Sequence, residues 1–285
     1  MSRIAYVNGR YLPHRDATVH IEDRGYQFSD GVYEVCEIKA GRLVDERRHM
    51  ERLRRSLGEL RIVEPMTPAA LSIVLHEVVA RNKVTHGIVY VQVTRGVARR
   101  DHAFPVPGTP PSLVVTARIL DPSRGEREAA AGVAVITVPE TRWARVDIKS
   151  VALLPNVLAK QAAREANARE AWFVDRDGFI TEGASANAWI VTDDGRVMTR
   201  PSDNAILRGI TRAVLFDVIR AHNLVIDERP FTVAEAYAAR EAFVTAASQI
   251  VLSVTKIDGR IIGNGKPGPL VTALRRDFHR HAEFS

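Results

Sequence analysis

Cysteine is almost missing from this chain. Cys36 is the only one in 285 residues, which excludes an internal disulfide and a cysteine-based metal cluster. Its setting, Val32-Tyr33-Glu34-Val35-Cys36, marks it as a small packed residue. No apolar run approaches the ~20 residues a membrane helix needs, and the first residues carry no signal-peptide pattern. A soluble cytoplasmic protein is the expectation. Runs of five or more like charges are also missing, although the net charge is +6. The basic residues are scattered among 34 acidic ones. That pattern argues against nucleic acid as a partner and fits attraction for small anions. There is neither an internal repeat nor a low-complexity tract. Lysine is scarce, with six in all: Lys39, Lys83, Lys149, Lys160, Lys256 and Lys266.

What is present reads as alternating strand and helix. Residues 4–7, an Asn8-Gly9 turn and Tyr11-Leu12 predict a hairpin, because Asn-Gly accepts the positive φ of a two-residue turn. Residues 33–39, Ala40-Gly41 and residues 42–44 predict another. Met50, Leu53, Leu57 and Leu60 recur at helical spacing, so residues 46–60 are expected to form an amphipathic helix. Thr67-Pro68 is a cap followed by a first-turn proline, and Leu71, Val74, Leu75, Val78 and Val79 supply the buried stripe of the helix it opens. Residues 87–94 and 112–119 are β-rich. Between them, residues 95–111 carry Pro105, Pro107, Gly108, Pro110 and Pro111 and exclude regular structure. A loop of that length in a compact domain points to function.

Residues 121–132 read as a polar linker. After it come a strand at 133–138, a helix at 151–168 with Leu153, Leu154, Val157, Leu158 and Ala162 as its stripe, and strands near 171–175 and 186–192. A helix at 209–222, strands at 224–228, 242–245 and 250–257, and a helix at 268–281 follow. The fold class is therefore α+β, with two domains of mixed sheets flanked by helices, a smaller one at 1–120 and a larger one at 121–285.

Three short segments carry candidate chemistry. Asp147-Ile148-Lys149-Ser150 lies between a strand and a helix; a desolvated lysine there is a nucleophile or base, a solvated one an ordinary surface residue. Leu207-Arg208-Gly209-Ile210-Thr211 opens a helix whose free N–H groups suit an anion, or is simply a helix start. Glu182 in Thr181-Glu182-Gly183 is a buried carboxylate needing a cation, or an exposed turn residue. A lysine, a carboxylate and a phosphate cradle together match what pyridoxal phosphate requires.

These motifs, with Glu22-Asp23-Arg24-Gly25-Tyr26-Gln27-Phe28, Asp30-Gly31-Val32-Tyr33-Glu34-Val35, Gln92-Val93-Thr94-Arg95-Gly96 and Val157-Leu158-Ala159-Lys160-Gln161, resemble the fold-type IV pyridoxal-phosphate enzymes, and among them the D-amino acid (D-alanine) aminotransferases. The resemblance runs nearly end to end. It implies Lys149, in the larger domain, as the Schiff-base lysine, and Glu182 at the pyridine nitrogen. It places Arg52 with Ile210 and Thr211 on the phosphate and Leu207 on the ring face. Tyr33 and the loop pair Arg100 and His102 would hold the substrate carboxylate, the pair reaching a partner's site in a homodimer. Lys160 is implied as structural. Ala184, Ala186 and Ala246-Ala247 stand where the family often has hydroxyl residues, and Ser29 replaces a common glycine. The implied reaction is transfer of an amino group from a D-amino acid such as D-alanine to a 2-oxo acid such as 2-oxoglutarate, without a metal. A branched-chain L-amino acid transaminase and an aminodeoxychorismate lyase share Lys149 and Glu182 but would lack the Arg-x-His pair.

Overall fold

The computed structural model describes residues 3–285 and divides into two compact units. The first runs to Pro122 and takes in Ile148–Ala152 and Glu283–Ser285; the second comprises Ser123–Asp147 and Leu153–Ala282. Lys149 therefore packs with the first unit, not with the larger one expected to carry it.

The first unit contains β1 (Ile4–Val7), β2 (Arg10–Pro13), α1 (Arg24–Phe28), β3 (Gly31–Lys39), β4 (Arg42–Leu43), α2 (Glu46–Glu59), α3 (Pro68–Arg81), β5 (His86–Thr94) and β6 (Ser112–Ile119). Its sheet has the order β2-β1-β6-β5-β3-β4 and is antiparallel throughout, so mixed pairing belongs to the second unit alone. Asn8 and Gly9 close the first hairpin at φ 44° and 90°, and the Asn8 Oδ1 accepts from the Leu113 N–H at 2.7 Å, tying the turn to β6. Thr67 caps α3 by accepting from the Ala70 N–H. Leu53 and Leu57 of α2 and the α3 stripe pack with Val32, Cys36, Ile38, Val89 and Val91 of the sheet. Residues 95–111 contain no helix or strand, as their prolines require.

The second unit contains α4 (Pro122–Ala131), β7 (Val133–Pro139), α5 (Leu154–Glu165), β8 (Glu170–Val174), β9 (Phe179–Gly183), β10 (Asn187–Val191), β11 (Val197–Thr199), α6 (Ile210–Ala221), β12 (Ile226–Glu228), β13 (Phe231–Thr232), α7 (Val233–Tyr237), β14 (Glu241–Ala246), β15 (Ile250–Ile257), β16 (Arg260–Ile261) and α8 (Pro269–His281). The sheet order is β12-β11-β10-β14-β15-β7-β8-β9-β13, with β16 on β15. The β11–β12, β15–β7 and β7–β8 pairs are parallel and the others antiparallel.

Two expectations change here. The linker at 121–132 is the helix α4: Pro122 opens it, Arg124 pairs with Glu128 one turn on at 2.9 Å, and Gly132 ends it at φ 71°. Polar composition concealed an exposed helix. The helix expected from 151 begins only at Leu154, because Val151 donates its N–H to the Gly31 carbonyl and Ser150 bridges Val32. The small residues Ala159 and Ala163 face the core, whereas Leu154, Val157 and Leu158 are 69%, 58% and 63% exposed. The large apolar residues of α5 thus lie on the side away from the core.

Candidate active site

In the first unit, strand alternation places Val32, Glu34, Cys36 and Ile38 on the buried face of β3 and Tyr33 on the other. A carboxylate buried among aliphatic side chains needs cations, and α2 supplies them. His49, Arg52 and Ser56 fall at i, i+3 and i+7, on one helical face. The Arg52 guanidinium donates to Glu34 through Nε at 2.6 Å and Nη2 at 2.8 Å. His49 Nδ1 lies 2.8 Å from Glu34 Oε2. Burial pushes the Glu34 carboxyl up, but the Arg52 charge and the hydrogen bonds from Arg52 and His49 outweigh it and hold the group well below the usual carboxylate range. Burial lowers His49 against the pull of Glu34. Burial also opposes the Arg52 charge, and Glu34 more than restores it.

The third residue on that face, Ser56, accepts the Lys149 N–H at 3.3 Å. The Lys149 carbonyl accepts the Tyr33 N–H at 3.0 Å, so the lysine sits on a short extended segment laid against the start of β3. Its Nζ lies 4.1 Å from the centre of the Tyr33 ring. Tyr33 stacks on Tyr90 at 5.6 Å. Tyr90 donates to Gln92 at 2.6 Å, and burial, with Tyr33 adding to it, pushes the Tyr90 hydroxyl up to about 12. Arg100 and His102 form a separate cluster around Phe28, at 5.1 Å and 5.4 Å from its ring, and both are exposed.

In the second unit, Glu182 is the penultimate residue of β9 and is buried. Its Oε1 accepts from Arg142 Nη1 at 2.6 Å and from the Leu207 N–H at 3.1 Å; its Oε2 accepts from Asn187 Nδ2 at 2.8 Å. Asn187 also donates to the Leu207 carbonyl at 2.9 Å, so Leu207 is held at both backbone groups. Two residues on, Gly209 caps α6, and a Cβ there would overlap the Asn187 Oδ1. Thr211 is buried in the first turn, and the first N–H groups of α6 have no partner within the helix. Burial opposes the Arg142 charge, but Glu140 and Glu182 raise its pKa overall. Lys160 Nζ donates to the Arg169 carbonyl at 2.8 Å and pairs with Glu170 at 3.3 Å.

Glu34, His49, Arg142 and Asn187 belong to these clusters without having been among the expected site residues. Polar residues at i, i+3 and i+7 within the α2 pattern were the available signal for His49 and Ser56. Nothing local signals Arg142, which lies 40 residues before Glu182.

The family model for amino-transferase class IV matches residues 31–257. The chain belongs to the class IV aminotransferases. It is a pyridoxal-phosphate-dependent transaminase with the fold-type IV architecture. This aminotransferase is 38% identical over 278 residues to the D-alanine aminotransferase of Staphylococcus haemolyticus, covering 98% of this chain and 97% of that one. It is 39% identical over 273 residues to that of Listeria innocua, covering 95% and 93%. The branched-chain amino acid aminotransferase of Escherichia coli superposes with a TM-score of 0.90 at 22% identity, over 98% of this chain and 94% of that one. The T.th. branched-chain amino acid aminotransferase with pyridoxamine 5'-phosphate superposes at 0.89 with 25% identity, over 98% of this chain and 94% of that one. No helix among the described residues is long and apolar enough to cross a membrane.

The residues present fit the cofactor. The first unit has an amine of the kind the cofactor needs, Lys149. The second unit has a carboxylate of the kind a pyridine nitrogen needs, Glu182, buried against a guanidinium, and N–H groups of the kind a phosphate needs at the α6 start, beside a glycine with no room for a side chain.

Proposed function

We propose that this aminotransferase moves the amino group of a D-amino acid, D-alanine first, to a 2-oxo acid such as 2-oxoglutarate. The observation that carries the reading is that one loop presents Arg100 and His102 against the same ring, Phe28, a guanidinium and an imidazole of the kind that bind a carboxylate. Identity of 37–39% to curated D-alanine aminotransferases over nearly the whole chain supports it. The branched-chain enzymes share the fold at lower identity.

Bound pyridoxal phosphate supplies the electron sink for breaking the bond to the substrate α-hydrogen. The rest of the work falls to this chain's side chains. Lys149 Nζ would carry the cofactor's attachment and, once released, would move the proton between the substrate α-carbon and the cofactor carbon. Glu182, ion-paired with Arg142, would hold positive charge on the pyridine nitrogen. Arg52, with the Ile210 and Thr211 N–H groups, holds the phosphate, and Leu207 backs the ring. Tyr33, Arg100 and His102 bind the substrate carboxylate.

A homodimer is part of this proposal, with Arg100 and His102 serving the partner's substrate. The exposed row Leu154, Val157 and Leu158 on α5, at i, i+3 and i+4, supports a second copy as the surface that covers it. A cytoplasmic location also belongs to the reading. The deciding experiment compares D- with L-alanine as donor to 2-oxoglutarate. Faster turnover of D-alanine is expected; preference for L-alanine or for L-leucine would replace the proposal with the branched-chain reading.

A further inference from the structure

The loop that carries Arg100 and His102 is clamped at its base. Arg24, in α1, is 3% exposed. Its Nη1 donates to the Asp101 carbonyl at 2.6 Å and its Nη2 to the His102 carbonyl at 3.4 Å. Its Nε donates to Asp30 at 2.8 Å. The Asp30 carboxylate also takes Nε and Nη2 of Arg95, the first residue of the loop, at 2.7 and 2.9 Å. Arg95 in turn donates to the Arg61 and Leu60 carbonyls and lies 3.6 Å from the centre of the Phe104 ring. The Phe28 ring meets Arg24 at 4.8 Å, on the same ring that Arg100 and His102 approach.

Neutralising Asp30 does not account for Arg24. Arg95 already gives that carboxylate two hydrogen bonds and a full charge. The two further bonds from Arg24 go to the main-chain carbonyls of Asp101, which stands between Arg100 and His102, and of His102 itself. A planar fork of fixed spacing holds two neighbouring carbonyls in one geometry, which a single point charge does not.

We propose that Arg24 is a positioning residue for substrate recognition: by holding the Asp101 and His102 carbonyls it sets the distance between the Arg100 guanidinium and the His102 imidazole. The substrate class is an α-amino acid carboxylate. The inference rests on the reading of Arg100 and His102 as the carboxylate-binding pair.

The test compares R24Q, R24K, R100L and R24Q/R100L holoenzymes with wild type, using D-alanine and 2-oxoglutarate. R100L is expected to raise the KM for D-alanine about 10-fold or more, in line with loss of a charged hydrogen bond. R24Q should raise it by about 10-fold with kcat changed far less, keep the visible absorbance of the cofactor, and speed amide exchange at residues 99–104. R24K, which keeps the charge but not the fork, should fall between wild type and R24Q, and it carries the test should R24Q fail to fold. The double variant should be no worse than R100L alone. A normal KM in R24Q beside an impaired R100L overturns the role of Arg24 and leaves the carboxylate pair standing. Multiplying effects in the double variant, or exchange at 99–104 unchanged in R24Q, also overturn it. A normal KM in R100L overturns the pair and this inference with it.

Discussion

The Arg52 guanidinium grips the buried Glu34 carboxylate through two hydrogen bonds, 2.6 and 2.8 Å long, while His49 closes on the same carboxylate at 2.8 Å. Removing one partner of such a pair leaves a buried charge uncompensated, at a cost of about 3–5 kcal/mol. Glu34→Gln is therefore expected to lower the melting temperature and to weaken cofactor binding, since Arg52 loses the group that orients it. Thermal denaturation and a cofactor titration followed by fluorescence check both. An unchanged cofactor affinity in the folded variant would count against Arg52 as a phosphate ligand.

The same cluster predicts acid sensitivity. The folded pKa of His49 lies below its ordinary 6.5 because burial disfavours the charged ring. Its contribution is complete above that value and is lost as pH falls, because the unfolded chain takes up a proton the folded chain refuses. Glu34, held low, adds a second loss below its ordinary 4.5. Stability should fall between pH 7 and pH 5, by at most about 1.4 kcal/mol per pH unit per group. Denaturant midpoints across that range should flatten in His49→Asn, and a slope identical to wild type would refute the assignment.

Glu182→Gln removes the charge that faces Arg142 and leaves one accepting oxygen, which serves either Arg142 and Leu207 or Asn187. A neutral amide does not hold positive charge on a pyridine nitrogen. Turnover is expected to drop by about 10²-fold or more, with the fold retained by circular dichroism. Wild-type kcat in this variant would leave Glu182 a structural residue only.

Gly209→Ala puts a methyl group into the Asn187 Oδ1. Asn187 must then move, and it holds both Glu182 and the Leu207 carbonyl. Cofactor affinity is expected to fall about 10-fold or more, and the melting temperature of the cofactor-free protein to fall modestly, because the two displaced hydrogen bonds are worth about 1 kcal/mol each. Equilibrium dialysis against pyridoxal phosphate measures the first, and calorimetry the second.

Lys149→Ala should abolish transamination, since Lys160, paired with Glu170 and the Arg169 carbonyl, is committed elsewhere. Borohydride reduction of the native enzyme followed by peptide mass mapping should place the cofactor on Lys149; an adduct on Lys160 would overturn the assignment. Mixing Lys149→Ala with Arg100→Leu protomers tests the proposed dimer. If Arg100 serves the partner, a mixed dimer carries one site with both defects and one with neither, and activity returns. No recovery after verified subunit exchange would restrict Arg100 to its own chain or to no site.

The short-range features of the fold were legible because each is written in neighbouring residues. Asn8-Gly9 specifies a turn with positive φ, and Thr67-Pro68 specifies a helix start. The α2 stripe specifies which helix face is buried. The inner face of α5 was not legible, because Leu and Val carry weight as core residues and the inner side of this helix admits only Ala159 and Ala163. Helix α4 was not legible either, because an exposed helix has no apolar stripe.

The motif order, the identity of the candidate lysine and carboxylate, and the family were all determined by the sequence by itself, since a reactive amine or an anion is a property of the residue. What surrounds each group was decided only by tertiary structure. Arg52 meets Glu34 because an α2 turn and a β3 pleat come into register across 18 positions. Arg142 meets Glu182 across 40 positions, and Lys149 joins the first unit because its carbonyl accepts from Tyr33 while Val151, two residues on, donates to Gly31. A charge on a side chain is local, but its compensation in a dry interior is made by whichever element the fold brings within hydrogen-bond reach.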